Sequence, residues 1–376
     1  MTGDSFGRPA EPAPHPSRGP AEPAPLRVAL DAGPLLDPPT GVGRYVREVV
    51  LGLEARGVDV RRYAVSLRGA RDRSVARWRV PARLAQEAWR RLNSPSIARL
   101  TGPVDVVHGT NFILPPTGGP PGVVTVHDLS FERADAWPGA GRLRALVPWS
   151  IQRAARVLVP TRTIANDVRE RYGLAPDRLV VTHEGVSQLF FGAAPLASSA
   201  LGAMGIPGPF VVAVGTLEPR KNLVRLVRAW HLVRGRLDGL TLVLAGPRGW
   251  GPGLPETPGV VLLGWIGDET LPGLLAAADV FCYPSEYEGF GLPPLEAMAA
   301  GTASVVGRYS AAEEVLGDSA HLVDPTDEED IAGALLALLE DEGLRRRYVT
   351  SGRARAARYT WQATAATTLE AYRQVV

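Results

Sequence analysis

The stretch EGFGLPPLE, Glu288 to Glu296, follows a short apolar run, Asp279 to Tyr283, that Pro284 and Ser285 bring to a close. The run predicts a buried strand. Pro293 and Pro294 predict a helix start, because first-turn amides have no intrahelical partner for proline to remove, and the helix should run through Met298 to about Gly301. A strand therefore feeds a glycine loop, and the loop feeds a helix N-terminus. Gly289 and Gly291 would let the backbone turn tightly and aim the amides of Gly289, Phe290, Gly291 and Leu292 at one point. A helix start favours negative charge there. Glu288 precedes the loop, and Glu296 falls in the expected first helical turn. Two carboxylates with a row of donors between them suit a ligand that is both polyhydroxylated and phosphorylated.

Toward the N-terminus the plan repeats. Phe210 to Val214 is a predicted strand running into Gly215, Thr216, Leu217, Glu218, Pro219, Arg220, Lys221 and Asn222. Asn222 is the expected N-cap of a helix whose buried stripe is Leu223, Leu226, Val227, Trp230 and Val233. Arg220 and Lys221 then precede a helix start, where two cations and free amides can hold a pyrophosphate. Leu240 to Ala245, Val260 to Gly264, Ser304 to Val306 and His321 to Val323 read as further strands, and Glu328 to Arg358 as helical. Glu313 and Glu314 read as a solvated acidic pair.

The first half carries a second set. Arg27 to Asp31 is a predicted strand, followed by a loop from Gly33 to Thr40 and then Gly41-Val42-Gly43. The next helix places Tyr45, Val46, Val49, Val50 and Leu53 on one face and stops at Gly57. A lone G-x-G is equally a phosphate cradle or a plain helix start. Three strands end in polar groups: Val104 to Val107 before His108-Gly109-Thr110-Asn111, Val123 to Val126 before His127-Asp128, and Val157 to Val159 before Pro160-Thr161. Leu179 to Thr182 is another strand, and Val186 to about Gly208 is read as a connector. Strands alternating with helices, with polar residues gathered at their C-terminal ends, predict parallel sheets with a site along that edge. His127 is either a satisfied strand-end histidine or a donor in that site. The last helix, capped by Thr360, keeps Trp361, Ala365, Leu369, Tyr372 and Val376 on one face, and is expected to bury them by packing across to the other domain.

A chain of 376 residues exceeds one ordinary core, so two domains are expected. The predicted layout is a Pro/Ala-rich disordered tail over 1–25, one domain over 26–200, a second over 205–359 and a crossing helix over 360–376. The single cysteine, Cys282, lies in an apolar strand and implies a reducing compartment, so a cytoplasmic location is expected. No apolar run is long enough to span a bilayer. Arg61 to Arg99 is dense in arginine with Trp78 and Trp89 interleaved. That stretch reads either as a peripheral contact with anionic membrane, at its inner face, or as a solvated helical face. A formal net charge of +2 argues against nucleic acid as a partner. Lys221 is the only lysine among 41 basic side chains. A lysine surviving such a bias points to a role for a compact point charge, such as a phosphate contact.

In combination these segments resemble family 4 of the retaining glycosyltransferases from about Leu26 to the C-terminus. GTLEPRKN (Gly215 to Asn222) is similar to that family's phosphate segment, and Glu288 and Glu296 match its E-x7-E spacing with GFGLP between. HGTNFILP (His108 to Pro115), TVHDLS (Thr125 to Ser130) and the AAGT segment around Gly301 follow in the family's order. The resemblance implies a GT-B fold, two Rossmann-like domains facing a cleft, with the acceptor held by the first (26–200) and a nucleotide-sugar donor mainly by the second (205–359). It implies that Glu296 binds the ribose hydroxyls, that Arg220 and Lys221 neutralise the departing diphosphate, and that Glu288 with the amides of Phe290, Gly291 and Leu292 holds the donor sugar. Gly41, Gly43, Gly215, Thr216 and Gly289 would border the donor, and His127 would contact the transferred sugar. His127, Glu288, Arg220 and Lys221 are thus the catalytic candidates. Neither metal nor cofactor is expected, the two cations taking the metal's part. The chain departs from the family at Thr216, where many members have arginine, at Thr40-Gly41, where a Gly-Gly pair is common, and at His183-Glu184, where Pro-Asn is usual.

The activity implied is transfer of a hexose, of mannose or glucose type, to a hydroxyl on a glycan, a lipid-linked glycan or a small molecule. A sugar-nucleotide epimerase on the same fold and a catalytically silent sugar-nucleotide-binding subunit are the rival readings. A glycoside hydrolase fits poorly, because its two carboxylates must flank the scissile bond while Glu296 is placed on the nucleotide.

Overall fold

The structure is a computed structural model that describes residues 24–36, 40–67, 74–133, 137, 139–251, 253–254 and 257–376. Residues 1–23 of the expected tail, 37–39 of the first glycine-bearing loop and 68–73 of the arginine-dense stretch lie outside the described residues.

Short apolar runs, mostly valine and leucine, form most of the strands of two sheets, and every strand pair is parallel. The first sheet contains β1 (Arg27–Asp31), β2 (Asp59–Val65), β3 (Ala76–Trp78), β4 (Val106–Gly109), β5 (Gly122–Thr125), β6 (Arg156–Val159) and β7 (Leu179–Val181). Their order is β3-β2-β1-β4-β5-β6-β7. The second contains β8 (Phe210–Val214), β9 (Thr241–Ala245), β10 (Val260–Gly264), β11 (Val280–Tyr283), β12 (Ala303–Gly307) and β13 (His321–Val323), ordered β10-β9-β8-β11-β12-β13. Central strands covered by helices on both faces must be apolar throughout, and β4, β5, β9, β11 and β12 are buried along their whole length. Cys282 lies inside β11, fully buried, as a small hydrophobe.

In each sheet the strand order reverses next to the strand that begins the domain: between β1 and β4 in the first, and between β8 and β11 in the second. Crossovers leave in opposite directions at such a point, so the loops beyond the strand C-termini part and leave a crevice. Gly215–Asn222 follows β8 and Pro284–Gly291 follows β11, so the two motif-bearing segments flank one switch point.

The helix Trp361–Arg373 returns to the first domain and packs on the helix Gly41–Glu54. Thr360 caps it by accepting the Ala363 amide. Trp361, Ala365, Leu369 and Tyr372 are buried as the periodicity requires, whereas Val376 lies beyond the last turn and is exposed. Tyr372 reaches the first sheet itself: its hydroxyl lies 2.7 Å from Nδ1 of His108, whose Nε2 is 2.8 Å from Oγ1 of Thr125. Burial pulls the His108 imidazole down to about 3, so it is neutral and structural.

Two sequence expectations fail here. Arg61–Arg99 is not one helical face but strand, strand and helix, and Trp89 is buried rather than displayed. Arg61 is held by Asp59 and the carbonyls of Thr101 and Pro103, Arg62 by Glu54, and Arg90 and Arg91 by Glu87. Nor is Glu314 a solvated carboxylate. It reaches across to the helix Arg162–Tyr172, accepting the amides of Arg162 at 2.8 Å and Thr163 at 2.9 Å.

Candidate functional site

Between the two sheets lies a cleft of about 840 Å³, and every residue singled out from the sequence as a site candidate lines it. Gly41, Gly43 and His127 come from the first domain; Gly215, Thr216, Arg220, Lys221, Glu288 to Leu292 and Glu296 come from the second. How they are arranged differs from the sequence picture in several particulars.

Glu288 is the centre of a buried ionic cluster. Its Oε2 accepts from Nη1 of Arg220 at 2.6 Å. Its Oε1 accepts from Nζ of Lys221 at 2.6 Å, Oγ of Ser285 at 2.6 Å and the Tyr283 hydroxyl at 2.9 Å. Burial alone would raise this carboxyl, but Arg220 and Lys221 outweigh it and hold it at about 2. Burial pushes the Lys221 ammonium down while Glu288 pulls it up. For Arg220, burial acts downward, but Glu288, Glu218 and Asp128 more than reverse it. The sequence reading treats the two cations as free for phosphate. Instead both are already paired, Arg220 also with Glu218 at 2.7 Å, so a diphosphate would share them with carboxylates. Asn222 is not a side-chain N-cap either. It adopts φ 59°, and its amide nitrogen donates to the carbonyls of Pro284 and Pro325, tying the β8 loop to the β11 loop.

Above this cluster the glycine loop is held by its carbonyls. Ser310 Oγ donates to the Glu288 carbonyl, Thr161 Oγ1 to that of Gly289 and the Tyr309 hydroxyl to that of Phe290. No described residue accepts from the amides of Gly289, Phe290 or Gly291, which leaves them as the unused polar face of the loop. Gly291 has φ 95°, the left-handed turn that glycine permits. Gly289 serves a different purpose from the tight turn expected: a Cβ there would stand 1.8 Å from the His127 carbonyl oxygen of the other domain. The helix begins at Leu292, one residue before the expected start, so Glu296 falls at the beginning of its second turn.

Glu296 is buried and paired with Arg44, which comes from the first domain and also meets Asp268 at 2.9 Å. Burial raises the Glu296 carboxyl while Arg44 pulls it back. Arg44 escapes a reading of the sequence because it sits on a helix that shows only an apolar stripe and G-x-G. That helix starts at Gly41, with Thr40 Oγ1 accepting the Gly43 amide at 3.1 Å. Gly41 and Gly43 therefore belong to its first turn rather than to a loop before it. His127 is satisfied at both ring nitrogens: Nε2 donates to the Thr110 carbonyl at 2.9 Å, and Nδ1 lies 3.3 Å from Glu184 Oε1. Glu184, one of the departures from the family pattern, thus has a place in the cleft beside the histidine. Thr216 lines the wall with no side-chain hydrogen bond among the described residues.

Family models match on both sides of the cleft. "Glycosyltransferase Family 4" covers residues 39–188, and "Glycosyl transferases group 1" covers residues 208–341. O-antigen chain mannosyltransferase B of Escherichia coli is 31% identical over 71% of this chain and 74% of its own length. The MMP alpha-(1->4)-mannosyltransferase of Mycolicibacterium hassiacum is likewise 31% identical, over 74% of this chain and 73% of its own. The chain belongs to glycosyltransferase family 4. Among solved structures, the sucrose-phosphate synthase of Thermosynechococcus elongatus superimposes with a TM-score of 0.72 at 21% identity, covering 93% of this chain and 98% of that one. The fold of this family 4 glycosyltransferase is accordingly GT-B. Among the described residues, no helix is long and apolar enough to cross a membrane.

Proposed function

We propose that the chain moves a hexose, of the mannose or glucose type and mannose first, from a nucleoside diphosphate to a hydroxyl of a glycan or lipid-linked acceptor, with retention at the anomeric carbon. The observation that carries this reading is the convergence, in one interdomain cleft, of Glu296, the Arg220–Lys221–Glu288 cluster and the free amides of Gly289 to Gly291. Mannosyltransferases among the relatives favour mannose, and a solved neighbour with UDP-glucose in its complex (TM-score 0.69) fits a nucleotide-sugar donor.

In this reading Glu296 exchanges Arg44 for the ribose hydroxyls, since a carboxylate accepts from two adjacent hydroxyls as well as from a guanidinium. Arg220 and Lys221 meet the diphosphate, and the glycine-loop amides meet sugar hydroxyls. The bond from the anomeric carbon to the phosphate oxygen breaks, and negative charge grows on the leaving diphosphate. Fixed cations at that point stabilise the transition state more than the ground state. The acceptor oxygen bonds to the anomeric carbon on the same face, and its proton passes to the departing phosphate. His127, braced by Thr110 and Glu184, lies at the first-domain wall where the transferred sugar would sit. No metal enters this scheme, so transfer should continue in EDTA.

Thermal-shift titration with nucleoside diphosphates and transfer assays with candidate donors test the proposal. Glu296→Ala and Lys221→Ala should each weaken nucleotide binding roughly tenfold to a hundredfold, the worth of one or two charge-assisted hydrogen bonds. Glu288→Ala should lower turnover more than nucleotide affinity. Wild-type kinetics in all three variants would remove the assignment; epimerised donor without transfer, or binding without turnover, would replace it by one of the rivals.

Membrane contact is proposed on a narrower basis than arginine density. Leu67, Val80, Leu84 and Leu92 are exposed, and Val80, Leu84 and Leu92 are next in sequence to Arg79, Arg83 and Arg91. Cosedimentation with anionic vesicles should be strong at low salt and reduced in Leu84→Ser/Leu92→Ser; equal binding to neutral vesicles would discard the contact.

A further inference from the structure

Both ring nitrogens of His127 are taken, Nε2 by the Thr110 carbonyl and Nδ1 by Glu184, and the rings of Tyr45 and Phe112 stand edge-on to it at 4.9 and 5.7 Å. The imidazole therefore has no polar atom to offer a ligand. The first-domain wall of the cleft still ends in one, because Glu184 meets His127 through Oε1 alone. Its Oε2 has no hydrogen-bond partner among the described residues and, unlike the sealed indole nitrogens of Trp89 and Trp361, stays open to solvent. Glu184 is only 8% exposed and lines the cleft, so a molecule held in the cleft can reach that oxygen.

The backbone around Glu184 fixes it there. It follows β7 in the segment His183-Glu184-Gly185-Val186. Thr364 Oγ1 donates to the His183 carbonyl at 2.7 Å, and the Val186 amide donates to the Tyr359 carbonyl at 3.0 Å. Between these two ties, a Cβ on Gly185 would stand 2.2 Å from the Trp361 amide nitrogen. The start of the C-terminal helix thus clamps the chain on both sides of Glu184. Across the cleft, the glycine loop abuts the His127 carbonyl at Gly289, so the unused amides of Gly289, Phe290 and Gly291 border the same space. Burial, and then the charges of Asp268 and Glu184, raise the Glu296 carboxyl against the pull of Arg44, which puts Glu184 within Coulomb range of the proposed ribose site.

We propose that Glu184 Oε2 accepts a hydroxyl of the transferred sugar and so takes part in setting which hexose the cleft holds. The inference rests on the nucleotide-sugar reading and gives the sugar a polar contact on the first-domain side, where the His127 ring has none to give. Sugar hydroxyls match both walls, accepting from the glycine-loop amides and donating to the carboxylate. A phosphate would be repelled by Glu184, and the ribose is assigned to Glu296, which leaves the sugar as the part of the donor with protons for this oxygen. A site built to accept from a hydroxyl discriminates against the analogue that lacks it, because the nearly buried oxygen is then stranded without a partner.

The test is isothermal titration of the full chain with GDP, GDP-mannose, UDP and UDP-glucose, then with monodeoxy analogues of the nucleotide sugar that binds more tightly. In the wild type one analogue should bind roughly tenfold or more weakly than its parent, the size of a hydrogen bond to a charged group. Glu184→Ala should weaken the parent by a similar factor, leave that analogue no weaker than before, and keep the affinity for the free nucleoside diphosphate within about twofold. A mere brace for His127 would not give this pattern, since loosening the wall would weaken parent and analogue alike. Glu184→Gln keeps the shape and an acceptor oxygen without the charge; its affinity should fall between the two, and it reads the same coupling should the alanine variant not fold. Additive losses, no analogue weaker than its parent, wild-type affinity for the nucleotide sugar in both variants, or an equal loss for the free nucleoside diphosphate would each overturn the assignment. Failure of every nucleoside diphosphate and nucleotide sugar to bind wild-type protein would instead overturn the donor-site reading.

Discussion

Glu288 shows how one side chain can govern a site without being its most exposed group. Its carboxylate gathers donors from Arg220, Lys221, Tyr283 and Ser285, and is 7% exposed. Replacing it by glutamine would leave Lys221 and Arg220 buried against a neutral amide. Removing one partner of a buried pair costs about 3–5 kcal/mol, because an uncompensated charge remains. Glu288→Gln should therefore lower the denaturation midpoint by an amount of that order, measured by urea titration with circular dichroism; an unchanged midpoint would mean the cluster is looser than its distances imply. The lone lysine is legible in the sequence, as are both acids and the arginine. Their mutual pairing is not, since no spacing rule connects residues 220 and 288 before the chain is folded. Arg44 and Glu184 are harder still, each being one charge among many until the other domain is set beside it.

At the scale of elements, Glu314 acts as a helix cap supplied from the opposite domain. The helix Arg162–Tyr172 already has Thr161 Oγ1 accepting the Ile164 amide. Glu314 takes the earlier amides of Arg162 and Thr163 and the Thr163 hydroxyl, with His183 Nε2 at 3.5 Å. Burial works to raise its carboxyl, but these hydrogen bonds prevail and bring it from the ordinary 4.5 to about 2. The folded form therefore binds the proton less readily than the unfolded chain, so the contribution is complete above about 4.5 and fades as pH falls toward about 2. Glu314→Gln should cost about 1–2 kcal/mol at pH 7, typical of a lost cap, and the gap to wild type should narrow in acid. Urea titrations at pH 7 and pH 3.5 measure it; a gap that widens in acid would assign the effect elsewhere. Helix and strand positions are largely legible, because apolar runs and glycine stops mark them locally. The β2–β3 region is not, since arginines interrupt its alternation and read as a surface.

At the scale of the whole molecule, close approaches that only glycine allows join distant parts of the chain. Gly52 meets the returning C-terminal helix, where an added Cβ would lie 2.4 Å from that of Ala365. Gly289 meets the other domain, its absent Cβ giving way to the His127 carbonyl. The sequence suggests a glycine turn at 289. The need for glycine comes instead from how near the domains come, which no single-domain pattern encodes. Gly289→Ala cannot keep this approach, because a backbone carbonyl has no rotamer by which to retreat. The variant should hold the cleft wider: a larger radius of gyration by X-ray scattering and a donor KM raised tenfold or more. Nucleotide affinity should change much less, since Glu296, Arg220 and Lys221 all belong to the second domain. Gly333 provides the control. It lies exposed on the helix Glu328–Glu340, and nothing stands within 4 Å of the place a Cβ would take, so Gly333→Ala should leave KM alone and stabilise by about 0.5–1 kcal/mol. If Gly289→Ala matched Gly333→Ala in scattering and KM, the domains would not need this contact, and catalysis could not depend on bringing His127 against the glycine loop.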